Sequence, residues 1–132
     1  MVVVSSETVP LVSEPDVVNV RRRVRDVAGR LGFSLVDQTK VVTAASELAR
    51  NTLIHGGGGA MELTMLNGPR VGLRLSFQDK GPGIPDIELA LRDGFTTGSG
   101  LGLGLGGAKR LANEFEIVST GEGTKVTVTR WK

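Results

Sequence analysis

The sequence predicts a single α+β domain, a two-layer sandwich of helices on a mostly antiparallel sheet. The chain has 132 residues, a typical length for one domain. Two segments in its first half place apolar residues at helical spacing, whereas the segments that follow alternate apolar and polar residues and are punctuated by turn signals. Helices that share a chain with hairpins pack on one face of the sheet. We therefore expect residues 1–132 to form one domain.

Composition and charge exclude several classes of protein. Hydrophobic residues make up 39% of the chain and charged residues 23%, which is typical of a globular protein, and no apolar run approaches the roughly 18 residues of a membrane span. There is no cysteine for a disulfide or a thiolate metal site. The net charge of +2 is too small to indicate nucleic-acid binding. The N-terminus lacks the basic start of a secretory signal. The absence of cysteine favours a reducing compartment, so we expect a cytoplasmic protein.

The first half of the chain predicts one strand and two helices. Residues 2–12 are rich in Val and Thr, and Pro10 favours an edge position for this strand. Residues 14–31 form an amphipathic helix that ends at Gly32, and a longer helix runs from the cap Ser34 to His55. The outer face of the first helix carries Arg21, Arg22, Arg23 and Arg25. That face is either simply solvated or a docking patch for an acidic partner.

The second half predicts two hairpins separated by a glycine-rich loop and a helix. Strands over 60–66 and 71–79 are joined at Asn67-Gly68, a strong hairpin signal. A helix is expected over 105–115, and a closing hairpin follows around Gly121-Glu122-Gly123.

Glu47 and Asn51 lie four residues apart on the longer helix, so their side chains share one face. A carboxylate and a carboxamide at this spacing could activate a nucleophile and coordinate a hard cation such as Mg²⁺ through oxygen. Polar pairs at this spacing are also common as plain surface residues. The pair alone leaves both interpretations open.

Asp79-Lys80-Gly81-Pro82-Gly83 follows directly after a predicted strand. A carboxylate at this position can accept a hydrogen bond from an exocyclic amine, and the two glycines would let a flat ligand lie against the backbone. Asp, Gly and Pro are also turn formers, so an ordinary tight turn is the alternative.

The segment from Thr96 to Gly107 alternates glycine with small residues and leucine, and it leads into a helix that carries Lys109 and Arg110. Small residues before a helix present backbone N–H groups to anionic oxygens, which favours a cradle for a triphosphate. A flexible linker is the alternative, although a linker would not alternate leucine with glycine.

The order and spacing of four motifs resemble the nucleotide-binding domain of the GHKL superfamily, which gyrase, histidine kinases and MutL share. The motifs are Glu47-x-x-x-Asn51, Asp79-x-Gly81-x-Gly83, the glycine loop and Gly121-Glu122-Gly123-Thr124. The resemblance covers roughly Ser46 to Trp131. It implies the Bergerat-type ATP-binding fold, in which the first pair is the N-box, the aspartate reads adenine and the glycine loop is the ATP lid.

Within that superfamily the chain is most similar to the RsbT-type serine/threonine kinases, part of the anti-sigma regulatory kinase family. The similar stretches are SELARN (46–51), DKGPGIPDI (79–87), DGFTTGSGLGLGLGGAKRL (93–111), NEFEI (113–117), GEGTKV and the final RWK. The resemblance implies that Glu47 is the general base, that Asn51 holds Mg²⁺ and that Asp79 binds the adenine amine. It further implies nucleotide binding by Gly81, Gly83, Gly98, Ser99, Gly100, Leu101, Gly102, Gly104 and Thr124.

The resemblance also implies a function. The expected activity is ATP-dependent phosphorylation of serine or threonine on STAS-domain proteins, in a stressosome or partner-switching stress response, with ATP and Mg²⁺ as cofactors. A PP2C-type phosphatase would be a second partner, activated by binding. Two alternatives stay open. One is an anti-sigma factor or nucleotide-gated switch that acts by sequestering its partner, and the other is a detached ATPase domain of the histidine kinase type.

One position departs from the anti-sigma kinases of the family. These commonly carry an arginine just before the lid glycines, where it can reach the γ-phosphate, whereas this chain has Gly98 at the comparable position. The sequence leaves Arg50, Lys80, Lys109 and Arg110 as candidates for the cation that stabilises the transferred charge.

Overall fold

Five antiparallel strands and four helices make up the part of the chain that the computed structural model describes, residues 2–92 and 104–132. The strands are Val2–Leu11 (β1), Gly59–Asn67 (β2), Gly72–Asp79 (β3), Glu114–Thr120 (β4) and Gly123–Trp131 (β5). The helices are Glu14–Arg30 (α1), Leu35–Ile54 (α2), Ile87–Ala90 (α3) and Gly104–Arg110 (α4). None of these helices has the length and apolar character needed to cross a membrane.

The sheet has the strand order β1-β2-β3-β5-β4, and every neighbouring pair is antiparallel. Strand β1 lies at an edge, as Pro10 predicts. The β2–β3 hairpin turns after Asn67, whose side-chain oxygen accepts the Gly68 N–H at 2.8 Å. Strand β5 pairs with β3 in the interior of the sheet, so the last strand brings its first residues beside the end of β3.

Helices α1 and α2 pack on one face of this sheet and form the core with it. The valines of α1 at helical spacing are buried, as are Ala45 and Leu48 of α2. From the sheet side, Leu75 and Phe77 of β3 are buried against them. Alternation on the strands and a 3.6-residue period on the helices thus converge on one core. The predicted two-layer α+β sandwich is confirmed.

The predicted helix over 105–115 is too long, and helix α3 was not predicted. Helix α4 ends at Arg110, and Phe115 belongs to β4, where it pairs with Val128. Asn113 explains the break because its N–H donates to the carbonyl of Thr129 at 2.9 Å and its side-chain oxygen accepts the Trp131 N–H at 2.6 Å. These two bonds hold Asn113 against β5, so the helix cannot continue through it.

Arg130 ties three elements together beside the core. Its guanidinium donates to the carboxylate of Asp37 in the first turn of α2 at 2.9 Å and to the carbonyl of Leu111, directly after α4, at 3.2 Å. Only 16% of the Arg130 side chain is exposed. The hydrogen bond from Arg130 holds the pKa of the Asp37 carboxyl below its ordinary value of 3.8.

Trp131 closes the opposite end of β5 from Gly123. Its ring covers Gly72, where a Cβ atom would lie 2.4 Å from the indole. The indole N–H donates to Glu114 at 2.7 Å, and the guanidinium of Arg70 lies 5.0 Å from the ring centroid. Trp131 is therefore fixed on both its edge and its face.

The arginine-rich face of α1 is partly neutralised. Arg23 forms ion pairs with Glu7 of β1 at 2.7 Å and with Asp26 at 2.9 Å, and Asp26 also pairs with Arg30 at 2.7 Å. The side chains of Arg21, Arg22 and Arg25 are exposed. A docking role for this face stays a prediction.

Candidate functional site

A cavity of about 360 Å³ opens between the second half of α2, the end of β3, the start of β5 and the segment that leads into α3. Its volume falls in the range of small-molecule sites. The lining combines apolar side chains with three carboxylates and one carboxamide. Its members are Glu47, Leu48, Arg50, Asn51, Thr52, Ile54, His55, Gly56, Phe77, Asp79, Gly83, Ile84, Pro85, Asp86, Leu89, Ala90, Gly104, Leu105, Thr124 and Val126.

Asp79, the last residue of β3, is oriented by two backbone donors. Its Oδ1 accepts the N–H of Gly81 at 2.9 Å and the N–H of Thr124, on the neighbouring strand β5, at 3.2 Å. The carboxylate is therefore held from both the turn and the sheet while it faces the cavity. A carboxylate fixed in this way can accept a hydrogen bond from an amine on a bound ligand.

Gly56 packs directly against Asp79, a role that the sequence analysis missed. A Cβ at Gly56 would lie 2.3 Å from the Asp79 carboxyl group. A Cβ at Gly81 would in turn lie 2.8 Å from the Cα of Gly56. The two glycines thus let the segment after α2 and the turn after β3 meet beside the carboxylate. The run Gly56–Gly59 at the end of a long helix was the available signal.

Ser119, also missed from the sequence, anchors the loop that forms one wall. Its Oγ accepts the N–H of Ile84 at 2.7 Å and lies 2.8 Å from the Oγ1 of Thr124. Gly83 makes the close approach possible, since it has φ +84° and its Cβ would lie 2.1 Å from the carbonyl oxygen of Thr120. Thr124 therefore joins Asp79 through its N–H and the loop through its hydroxyl.

Glu47 is held by one donor at each carboxylate oxygen. Oε1 pairs with the guanidinium of Arg50 at 3.2 Å, and Oε2 accepts the N–H of Gly104 at 3.3 Å. Its side chain is only 12% exposed. The contact places the start of α4 against α2, and it fixes a carboxylate that can accept a proton.

Asn51 lies one turn beyond Glu47 and lines the same cavity. Its backbone carbonyl accepts the N–H groups of His55 at 3.0 Å and Gly56 at 3.2 Å, so the helix ends here. His55 caps α2, as the sequence allows, and it also lines the cavity.

An amide and a carboxylate oxygen on one helix face suit Mg²⁺, which is usually bound through one or two protein oxygens with water and substrate phosphates. The described residues contain no cluster of three His, Cys, Asp or Glu side chains that could hold a metal without a substrate. The amide and carboxylate oxygens fit a cation whose remaining ligands are water and phosphate oxygens.

Most of the site residues predicted from the sequence come together in this cavity. Glu47, Asn51, Asp79, Gly83, Gly104 and Thr124 line it, and Gly81 packs beside it against Gly56. Gly98, Ser99, Gly100, Leu101 and Gly102 lie outside the described residues. Four separate stretches of sequence thus converge on one cavity.

Comparison with known proteins identifies the family of the chain. Residues 11–130 match the family model of the histidine kinase-like ATPase domain. The chain therefore belongs to the histidine kinase-like ATPase family.

Within the family, the chain is 44% identical over 125 residues to the serine/threonine-protein kinase RsbT of Bacillus subtilis (strain 168), an alignment that covers 93% of this chain and 94% of RsbT. It is also 30% identical over 117 residues to the anti-sigma F factor of Thermoanaerobacter sp. (strain X514), covering 84% of this chain and 82% of that factor. The resemblance to RsbT-type kinases is confirmed, and the chain is an enzyme of the serine/threonine-protein kinase class.

Solved structures show the same fold at low sequence identity. The RsbU and RsbW domains of Rv1364c from Mycobacterium tuberculosis match with a TM-score of 0.67 and 19% identity over 97% of this chain, which spans 33% of that structure. The SiaB-SiaC complex from Pseudomonas aeruginosa matches with a TM-score of 0.57 and 11% identity, covering 98% of this chain and 91% of that one. Together with the family match over residues 11–130, these structures confirm the predicted Bergerat-type ATP-binding fold.

Proposed function

We propose that this chain is a partner-switching kinase that transfers the γ-phosphoryl group of ATP to serine or threonine on STAS-domain proteins of a stressosome-like pathway. In this proposal residues 1–132 act in the cytoplasm as one ATP-binding kinase domain. The kinase also binds and activates a PP2C-type phosphatase when it leaves its first partner. The observation that carries the proposal is the convergence of Glu47, Asn51 and Asp79 on one cavity in a chain 44% identical to RsbT.

The adenine end of the site is assigned to Asp79. Its carboxylate accepts the exocyclic amine. Gly81 and Gly83 let the turn after β3 pack closely against Gly56 and Thr120 beside the base. Thr124 supports the pocket through its N–H to Asp79 and its hydroxyl to Ser119. Phosphate binding is assigned to the backbone N–H groups of Gly98, Ser99, Gly100, Leu101, Gly102 and Gly104, of which only Gly104 lies in the described part of the chain.

Asn51 holds Mg²⁺ through its side-chain oxygen in this proposal. The ion, when bound, neutralises charge on the phosphates. Glu47 accepts the proton of the acceptor hydroxyl as the new O–P bond forms. The bond between the γ-phosphorus and the bridging oxygen breaks, and that oxygen leaves with ADP. The hydrogen bonds from Arg50 and Gly104 keep the Glu47 carboxylate in place for this step.

Radiolabel transfer tests the proposal. The protein is incubated with γ-labelled ATP and Mg²⁺ in a lysate of the source organism, and wild type is compared with Glu47→Gln. Acid-stable label on serine or threonine of a STAS-domain protein is expected from wild type only. The matched control is Glu62→Gln, a change of an exposed carboxylate on β2, which leaves labelling intact. Equal labelling by Glu47→Gln would overturn the assignment of the base, and acid-labile label would point to a histidine-kinase-type reaction.

Regulation by sequestration is the second candidate, and the relatives that are anti-sigma F factors favour it. In that case a nucleotide-loaded chain binds its partner with little phosphoryl transfer. Three results together would favour this candidate over the kinase. The chain would bind its partner only with ADP or ATP, wild type and Glu47→Gln would bind it equally, and the partner would carry no label.

A further inference from the structure

The sequence leaves four candidates for the cation that stabilises the charge on the transferred phosphoryl group. The residues that line the cavity separate these candidates. Lys80, Lys109 and Arg110 are absent from its lining. Among the lining residues, all of which the structure describes, Arg50 is the only lysine or arginine. The segment 93–103 contains neither lysine nor arginine, so it cannot supply the charge either.

Arg50 is also placed beside the reacting groups of the proposed site. It follows Glu47 by three residues on α2, and its Nη1 lies 3.2 Å from the Glu47 carboxylate. The side chain is 36% exposed, so its far end can turn toward a ligand without leaving the helix surface. A guanidinium has five N–H donors, and a contact with Glu47 through one nitrogen leaves donors for phosphate oxygens.

We propose that Arg50 is the cation that stabilises the phosphoryl group in the transition state of transfer. This charge comes from helix α2 and not from the glycine loop. The inference rests on the proposed kinase function and adds a catalytic residue to it. The planar guanidinium faces the equatorial oxygens while the acceptor oxygen attacks on the side of Glu47. Charge that develops on those oxygens meets a cation already held in place by its pairing with the proposed base.

Binding of a transition-state mimic tests the role without requiring the protein substrate. The affinities of the full chain for ADP alone and for ADP with aluminium fluoride are measured by calorimetry in the presence of Mg²⁺. We expect Arg50→Met to bind ADP within about threefold of wild type and to lose most of the extra affinity that aluminium fluoride confers. Arg50→Lys should recover part of that gain, because it keeps the charge but not the bidentate geometry.

Phosphoryl transfer gives the second readout. Arg50→Met should lower kcat on the order of 1000-fold with little change in the KM for ATP, as for other arginines that act on transferred phosphates. Lys40→Met, an exposed cation on the same helix, is the matched control and should leave both constants unchanged.

Two results would overturn the assignment. The first is a full aluminium fluoride gain in Arg50→Met, most clearly if Lys80→Met, Lys109→Met or Arg110→Met loses it. The second is that Arg50→Met and Arg50→Lys lose ADP affinity to the same extent and thermal stability to the same extent. That result would mean that Arg50 has a structural role. If the wild type transfers no phosphate at all, the proposed kinase function fails, while the binding comparison still decides the role of Arg50.

Discussion

Arg130 at the end of the last strand and Asp37 in the first turn of α2 form an ion pair of 2.9 Å between residues 93 positions apart in the chain. The pair joins the sheet to the start of the helix that carries Glu47 and Asn51. The Asp37 carboxyl has a pKa below its ordinary 3.8 because Arg130 donates to it, so its ionised form is favoured by folding. The stabilisation is therefore present above that value and is lost as the pH falls through the lower folded one.

The Tm of Asp37→Asn should vary less than that of wild type as the pH falls into the acid range. We expect a lower Tm than wild type at pH 7, because the amide cannot form the ion pair, and a difference that shrinks below about pH 3.8. Circular dichroism melts from pH 7 to pH 2.5 measure both effects. Glu62→Gln, with an exposed carboxylate, should track wild type throughout. A Tm difference that is constant over the whole range would contradict the linkage.

Asp79→Asn should weaken nucleotide binding without unfolding the chain. The amide oxygen can still accept the N–H groups of Gly81 and Thr124, so the Tm should change little. The ADP affinity should fall about 10- to 100-fold, as expected for loss of a hydrogen bond to a charged group worth roughly 1.5–3 kcal/mol. Calorimetry with ADP checks this, with Asp26→Asn on α1 as the control. Unchanged ADP affinity in Asp79→Asn would overturn the assignment of Asp79 as the residue that binds the adenine amine.

Gly56→Ala should reproduce the Asp79→Asn defect from the other side of the contact. The added methyl group would lie 2.3 Å from the Asp79 carboxyl and would displace it, so a similar loss of about 10- to 100-fold in ADP affinity is expected. Gly121→Ala, in the β4–β5 hairpin, is the matched control because nothing lies within 4 Å of its Cβ position. Normal ADP binding by Gly56→Ala would mean that the two segments can separate freely.

Ser119→Ala should raise the KM for ATP by roughly fivefold while leaving kcat within about twofold, since one hydrogen bond is worth about 1 kcal/mol. The loss of the 2.7 Å bond from Ile84 would loosen the cavity wall but not the reacting groups. Ser119→Thr keeps the hydroxyl and should restore the KM. A defect confined to kcat would place Ser119 in a different role.

Sequence patterns predict this fold best where one local signal dominates. The predicted strand over 71–79 alternates Leu73, Leu75 and Phe77 with other residues, and these three side chains are buried in β3. The helix over 105–115 was overextended because the bonds that Asn113 makes to β5 are set by tertiary structure. Helix α3 was missed because four residues carry too little periodicity to register.

For the site, spacing predicted Glu47 with Asn51 on one helix face, and the resemblance added Thr124. Neither the spacing nor the resemblance revealed Gly56 or Ser119, because both residues act through contacts with segments distant in sequence. The cation could not be chosen either, because the four candidates are equivalent until the cavity lining separates Arg50 from the others.

The position of Trp131 gives the protein a built-in optical probe. It is the only tryptophan, and the nine-residue strand β5 runs from Gly123, whose Cβ would touch the Asp79 carbonyl, to this residue. At about 3.3 Å per residue, the fluorophore lies roughly 25 Å from the nucleotide end of its strand. Its emission should therefore report unfolding and remain silent when ADP binds, so stability and ligand affinity can be followed independently in one cuvette.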